Sequence, residues 1–173
     1  MRVWAIAAMV GLALAVPVKA EVETSDHGFV ATNTADIAAP PGEVWNALID
    51  PARYWNAEHS WFGDAANFSL EPVAGGCFCE TSEQGSVEHQ RVVMAMPDRL
   101  LRLSGALGPL QSEALAATLT WDLAATPEGT RITQTYVVGG HMRFPVDQIA
   151  PAVDGVVREQ LERLAALFDQ PTE

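Results

Sequence analysis

The chain has 173 residues and a net charge of −12, from 22 acidic against 10 basic residues. Lys19 is the only lysine, which excludes Schiff-base catalysis and a P-loop, since both need that side chain. So acidic a surface repels phosphate backbones and anionic headgroups, and nucleic acid is not expected as a partner.

The opening residues differ from the rest. Arg2 gives a short positive start, and Val3 to Val16 carries no charge and is rich in Ala, Val and Leu. Val18-Lys19-Ala20 then places small apolar residues three and one positions before a cut. This is the pattern of a secretory signal peptide over 1–20. The uncharged run is shorter than the roughly 20 residues that a membrane-spanning helix needs. Glu21, not a lipid-attachment cysteine, follows the cut. The remainder, 21–173, is of single-domain size. It is expected to be periplasmic or secreted, with no stable membrane insertion after cleavage.

Phe29 to Ala39 is β-compatible and stops at Pro40-Pro41. Pro41 suits the first position of a helix, Glu43 suits its first turn, and Val44, Trp45 and Leu48 form one apolar face. Asp50-Pro51 breaks that helix, and Ala52 to Trp55 makes a second short one. An aromatic, turn-rich stretch from Trp55 to Phe68 follows.

Asn67–Val73 and Cys77–Thr81 are short strands joined at Ala74-Gly75-Gly76. Val87–Met96 is longer and halts at Pro97-Asp98. Arg99–Ser104 resumes with Leu101 and Leu103 on one face. Leu115–Leu123 alternates cleanly between apolar and largely polar residues, Pro127-Glu128-Gly129 turns, and Arg131–Val138 closes the sheet. The final helix sets Ile149, Val153, Val156, Val157, Leu161, Leu164, Leu167 and Phe168 opposite Asp154, Arg158, Glu159, Glu162 and Arg163. Pro151 is tolerated there only within the first turn.

In a strand, Cys77 and Cys79 share a face and Phe78 takes the other. The pair reads first as two small buried apolar residues, with oxidation or bridging to another chain left open. No metal site is expected, because no second Cys/His pair at zinc-ligand spacing follows.

Segregated helices and consecutive hairpins make an α+β domain with one open, curved sheet. A single long helix covers only part of the concave face. The uncovered part is a cavity, and the segment from Trp55 to Phe68 is placed at its mouth.

Several local motifs resemble one superfamily. Asp36-Ile37-Ala38-Ala39-Pro40-Pro41-Gly42-Glu43-Val44-Trp45 resembles its opening signature, and Asp50-Pro51 with Tyr54-Trp55 and Trp61-Phe62-Gly63 its second short helix. Gly75-Gly76 with Phe78, Pro97-Asp98-Arg99-Leu100, and Leu119-Thr120-Trp121 with Gly129-Thr130-Arg131-Ile132 resemble its later hairpins. The family is the SRPBCC or START-like group, which includes polyketide cyclase-like and heat-shock-ATPase-activator-like proteins. The resemblance implies a helix-grip fold: a curved seven-stranded antiparallel sheet wrapped around a long C-terminal helix, with two short helices after strand 1 and a hydrophobic pocket. It does not imply one activity.

No nucleophile elbow, zinc-protease motif or Walker loop is present, and no cofactor is expected. The candidate ligand-binding residues are Trp55, His59, Trp61 and Phe62 at the mouth, and Trp121, Gln134 and Tyr136 on the sheet. The expected function is binding of a hydrophobic small molecule or lipid in the cavity. The alternative is a polyketide cyclase- or hydratase-like enzyme using acid–base residues of the same pocket, with His59, His89 and Tyr136 as candidates. His89 cannot be assigned to a face of its strand by alternation.

Overall fold

A hairpin absent from the sequence reading opens the fold. In the computed structural model, which describes residues 17–169, β1 (Lys19–Ser25) pairs antiparallel with β2 (Gly28–Ile37). β1 is exposed except for half-buried Val22. It starts two residues before the cut expected after Ala20, and Glu21–Ser25 pair with Gly28–Thr32. Residues 1–16 of the expected signal segment lie outside the described residues.

β2 alternates as expected, burying Phe29, Ala31, Asn33, Ala35 and Ile37. Helix α1 (Pro41–Leu48) starts on Pro40-Pro41 and buries Val44, Trp45, Ala47 and Leu48. The second short helix is a 3-10 turn at Pro51–Arg53, and two more such turns, Ala57–His59 and Ala65–Asn67, punctuate the aromatic segment. Asn56 and Asp64 cap these two, accepting from the amides of Glu58 and Ala66.

The remaining strands are β3 (Phe68–Leu70), β4 (Cys77–Ser82), β5 (Gly85–Met96), β6 (Leu100–Ser104), β7 (Ala114–Thr126) and β8 (Gly129–His141). They form one antiparallel sheet of eight strands in the order β1-β2-β8-β7-β6-β5-β4-β3. The expected count was seven, and β1 is the added edge strand. β7 and β8 bury Ala117, Leu119, Trp121 and Leu123 against Ile132, Gln134, Tyr136 and Val138.

Glycine at 129 is dictated by close approach. A Cβ there would lie 2.2 Å from the Ile37 carbonyl oxygen. Next to it the Thr130 hydroxyl donates to the Ala39 carbonyl at 2.7 Å, fastening β8 to the strand–helix junction. This contact accounts physically for the Gly-Thr-Arg-Ile motif.

Helix α2 (Val146–Ala166) lies across the concave face, with Val157, Leu161 and Leu164 buried against the sheet. Truncating a fully buried leucine such as Leu161 costs about 2–5 kcal/mol. Two expectations about this helix are corrected. Pro151 stands past the first turn, and it is tolerated because Pro151 and Asp147 both face solvent, where the carbonyl deprived of its helical donor meets water. Asp154, placed on the polar face by spacing, is buried. Its Oδ1 accepts from Asn33 Nδ2 at 2.9 Å, and Asn33 also donates to Gln134 Oε1 at 3.2 Å.

Candidate functional site

The N-terminal half of α2 leaves the sheet partly uncovered. Ile149, Ala152, Val153, Val156 and Val157 form one wall of a cavity of about 320 Å³, within the range typical of small-molecule sites. Trp55, Glu58, His59, Ser60 and Trp61 form the opposite wall, Leu107-Gly108-Pro109 straps the end, and His89 reaches in from the sheet. Trp61 is 58% exposed and stands at the rim.

The mouth segment is tied to α2 by four polar contacts. Arg163 Nε donates to the Tyr54 carbonyl at 2.6 Å, and the Asn56 amide donates to Gln160 Oε1 at 2.9 Å. Glu159 accepts from Asn56 Nδ2 and meets His59 Nε2 at 3.0 Å. Partial burial pushes the Glu159 carboxyl up, but His59 and Asn56 outweigh it and hold it below the usual carboxylate value.

A second carboxylate holds the same segment from inside. Glu80 on β4 is buried, and its Oε1 accepts from the Ser60 hydroxyl and from the Phe62 amide at 2.9 Å. Its Oε2 accepts from the Trp61 amide at 3.1 Å and meets His89 Nε2 at 3.0 Å. Burial pushes the Glu80 carboxyl up, yet Ser60, Phe62, Trp61 and His89 together hold it below its ordinary value, so it is ionised. For His89 burial dominates over Glu80 and pulls the ring below the ordinary histidine value. The ring stacks on Phe68 at 5.0 Å and packs against Phe78 at 5.3 Å.

A β-bulge explains why alternation left His89 unassigned. Phe78 pairs with Gln90 and Cys79 with Glu88, so His89 is an extra residue on β5 without a partner on β4. His89 and Gln90 are consequently both buried, while Arg91 turns outward to Glu88. A second irregularity falls at Val93, between the Val92–Leu103 and Met94–Arg102 pairs.

The structure brings Trp55, His59 and Trp61 together at the cavity. Phe62 contributes its backbone amide to Glu80 but does not line the cavity. Trp121 lines a separate cavity of about 10 Å³, which it shares with Trp55 and Gln90. Trp55 Nε1 and Gln90 Oε1 are buried without a protein partner among the described residues. Gln134 accepts from Asn33 and donates from Nε2 to the Val157 carbonyl at 2.9 Å, so it fastens α2 to the sheet. Tyr136 Oη accepts from the Leu107 amide at 2.8 Å and so holds the strap rather than facing the cavity. Burial raises its pKa. Gln134 and Tyr136 are thus partnered within the protein.

Glu80, Ser60 and the Leu107–Pro109 strap escaped the sequence reading. The signal for Glu80 was its place two residues after Phe78, on the same inward face. Cys77 and Cys79 are half-buried and joined by a disulfide, with Cα atoms 5.3 Å apart, rather than being two buried thiols. Among the described residues no group of three or more His, Cys, Asp or Glu side chains is placed to hold a metal. No described helix is long and apolar enough to cross a membrane.

Solved structures with similar folds share this architecture at low identity. CalU16 from Micromonospora echinospora, in its solution structure, matches with a TM-score of 0.61 and 17% identity over 94% of this chain and 81% of its own. Protein MLL2253 from Mesorhizobium loti gives 0.59 and 18% identity over 83% of this chain and 99% of its own. Mll3558 from Rhizobium loti gives 0.57 and 24% identity over 87% and 98%. None of the curated proteins compared with the chain matches it. The family model for polyketide cyclase / dehydrase and lipid transport matches residues 29–169, from the start of β2 to just past the end of α2. The chain belongs to that family.

Proposed function

We propose that this protein is exported and binds a hydrophobic small molecule or lipid in the cavity between α2 and the Trp55–Trp61 segment. The cavity itself carries this reading: about 320 Å³ of mostly apolar wall, with a large exposed aromatic side chain, Trp61, at the rim. The family description, which includes lipid transport, agrees with it. Export is supported by Arg2, the uncharged run from Val3 to Val16 and Val18-Lys19-Ala20. The Cys77–Cys79 disulfide is of a kind that oxidising compartments permit.

Native mass spectrometry of the protein purified from the envelope fraction tests the reading. A small-molecule mass retained under native conditions and lost on denaturation supports carriage and identifies the cargo. A consistently empty protein that takes up no apolar probe contradicts it.

A second reading, an acid–base enzyme of the cyclase or hydratase kind using the same pocket, is favoured by the buried Glu80–His89 contact. Turnover abolished by His89→Ala with binding retained would select it over carriage.

A further inference from the structure

Resting on the reading of the cavity as a ligand site, we propose that its ligand is a neutral apolar molecule bearing a hydroxyl group whose O–H donates to His89 Nδ1. The argument starts from the tautomer. An ionised carboxylate only accepts hydrogen bonds, and Glu80 Oε2 lies 3.0 Å from His89 Nε2. The proton of the neutral imidazole is therefore on Nε2, and Nδ1 carries a lone pair.

Among the described residues no group bonds to Nδ1, and Nδ1 is not one of the sealed, unpartnered polar atoms, so it opens toward the cavity although the side chain as a whole is only 4% exposed. The ring cannot readily turn away, because Phe68 and Phe78 pack against it and Glu80 holds its far edge. His89 also lines the cavity. The fold thus presents a fixed acceptor beside an apolar chamber, and a ligand hydroxyl is the donor that satisfies it. His59 differs, being 30% exposed at the rim, where water can serve its other nitrogen.

Charge narrows the class further. Among the described residues no Lys or Arg lines the cavity, and Glu58 does. A carboxylate or phosphate head would enter a mostly apolar chamber without a counter-ion and with the Glu58 carboxylate at its wall. An apolar alcohol or phenol avoids both costs.

The test uses three aromatic probes of matched shape: 2-naphthol, 2-methoxynaphthalene and 2-naphthoate, titrated against the whole protein by calorimetry. The expected result is 2-naphthol binding at least about tenfold tighter than 2-methoxynaphthalene, with 2-naphthoate weaker than both. His89→Phe keeps the aromatic stack and removes the acceptor. It should reduce the preference for 2-naphthol to within about twofold while 2-methoxynaphthalene still binds. Because His89→Phe also takes a donor from Glu80, the wild type is examined by 15N NMR of its histidines as well. Addition of 2-naphthol, but not of 2-methoxynaphthalene, should move the unprotonated His89 nitrogen. Equal affinity for 2-naphthol and 2-methoxynaphthalene, or tightest binding of 2-naphthoate, overturns the proposal and leaves the cavity reading intact. Failure of all three probes to bind overturns both.

Discussion

Glu80 on β4 and His89 on β5 face each other across 3.0 Å with both side chains buried, and the same carboxylate holds the backbone of Trp61 and Phe62. One group therefore shapes the cavity wall and orients the imidazole beside it. Glu80→Gln keeps the size but puts an NH2 donor in place of one of the two oxygens, facing either Ser60 and the Phe62 amide or the Trp61 amide and His89. Stability should fall by about 3 kcal/mol, the scale for disrupting a buried charged contact. Amide hydrogen exchange at Trp61 and Phe62 should accelerate beyond the rise seen across the sheet. Urea unfolding and exchange mass spectrometry check both, and unchanged protection at those amides would contradict the anchoring role.

Acid should destabilise the protein in two stages. The folded-state pKa of His89 lies below the unfolded value, so below about pH 6.5 the unfolded chain binds the proton first and stability falls. Glu80 is also depressed, so its contribution is complete above about pH 4.3 and is lost as pH falls through its lower folded value. Glu159 acts in the same direction more weakly, being partly exposed. Urea midpoints measured against pH should decline below neutrality, and His89→Phe should remove the upper stage. A wild-type midpoint flat from pH 7 to 5 would refute the assignment.

Trp61→Ala separates binding from folding. The side chain is 58% exposed, so its removal should change stability by no more than about 0.5 kcal/mol. Affinity for an apolar probe such as 2-methoxynaphthalene should fall about tenfold, or about 1.4 kcal/mol. A large drop in melting temperature with unchanged affinity would place Trp61 in the structural core instead.

Asp154→Ala removes the acceptor that α2 offers Asn33. Asn33 keeps its bond to Gln134, but leaving its other buried N–H unpaired should cost about 2 kcal/mol. The cavity wall, built from neighbouring faces of the helix, should keep its probe affinity. Thermal unfolding and calorimetry on the same sample check the two halves of this expectation.

Processing is predicted at a defined bond. N-terminal sequencing of protein from the envelope fraction should begin at Glu21, and its intact mass should be two daltons below that of the reduced chain, from the Cys77–Cys79 bond. A chain retaining Met1 in the cytoplasmic fraction would contradict export.

Where local rules act alone, the fold was legible. β7 and β8 carry uninterrupted alternation, Pro40-Pro41 starts α1, and Leu101 and Leu103 fall on the face expected. Partners distant in sequence defeat such rules: Asp154 is inward because of Asn33, 121 residues away, and Gln134 and Tyr136 are satisfied by α2 and by Leu107. β1 was missed because an exposed edge strand needs no apolar face, and it overlaps the expected cut. At the mouth, Trp55, His59 and Trp61 were found because aromatic residues in a turn-rich segment stand outside any periodic core pattern. Glu80 was not, because alternation from Phe78 turns it inward but the partners that let a carboxylate stay there, Ser60, Trp61, Phe62 and His89, lie on other segments.

The bulge at His89 gives β5 a change of parity. Counting by twos from Gln90 and Val92 back along the strand assigns His89 to the outer face, and only the one additional residue reverses that assignment. A homologous chain one residue shorter at this point could keep every pair from Phe78–Gln90 onward and yet present no imidazole to the cavity. The chamber's chemistry can therefore be gained or lost by a single insertion or deletion, with the sheet that encloses it unchanged.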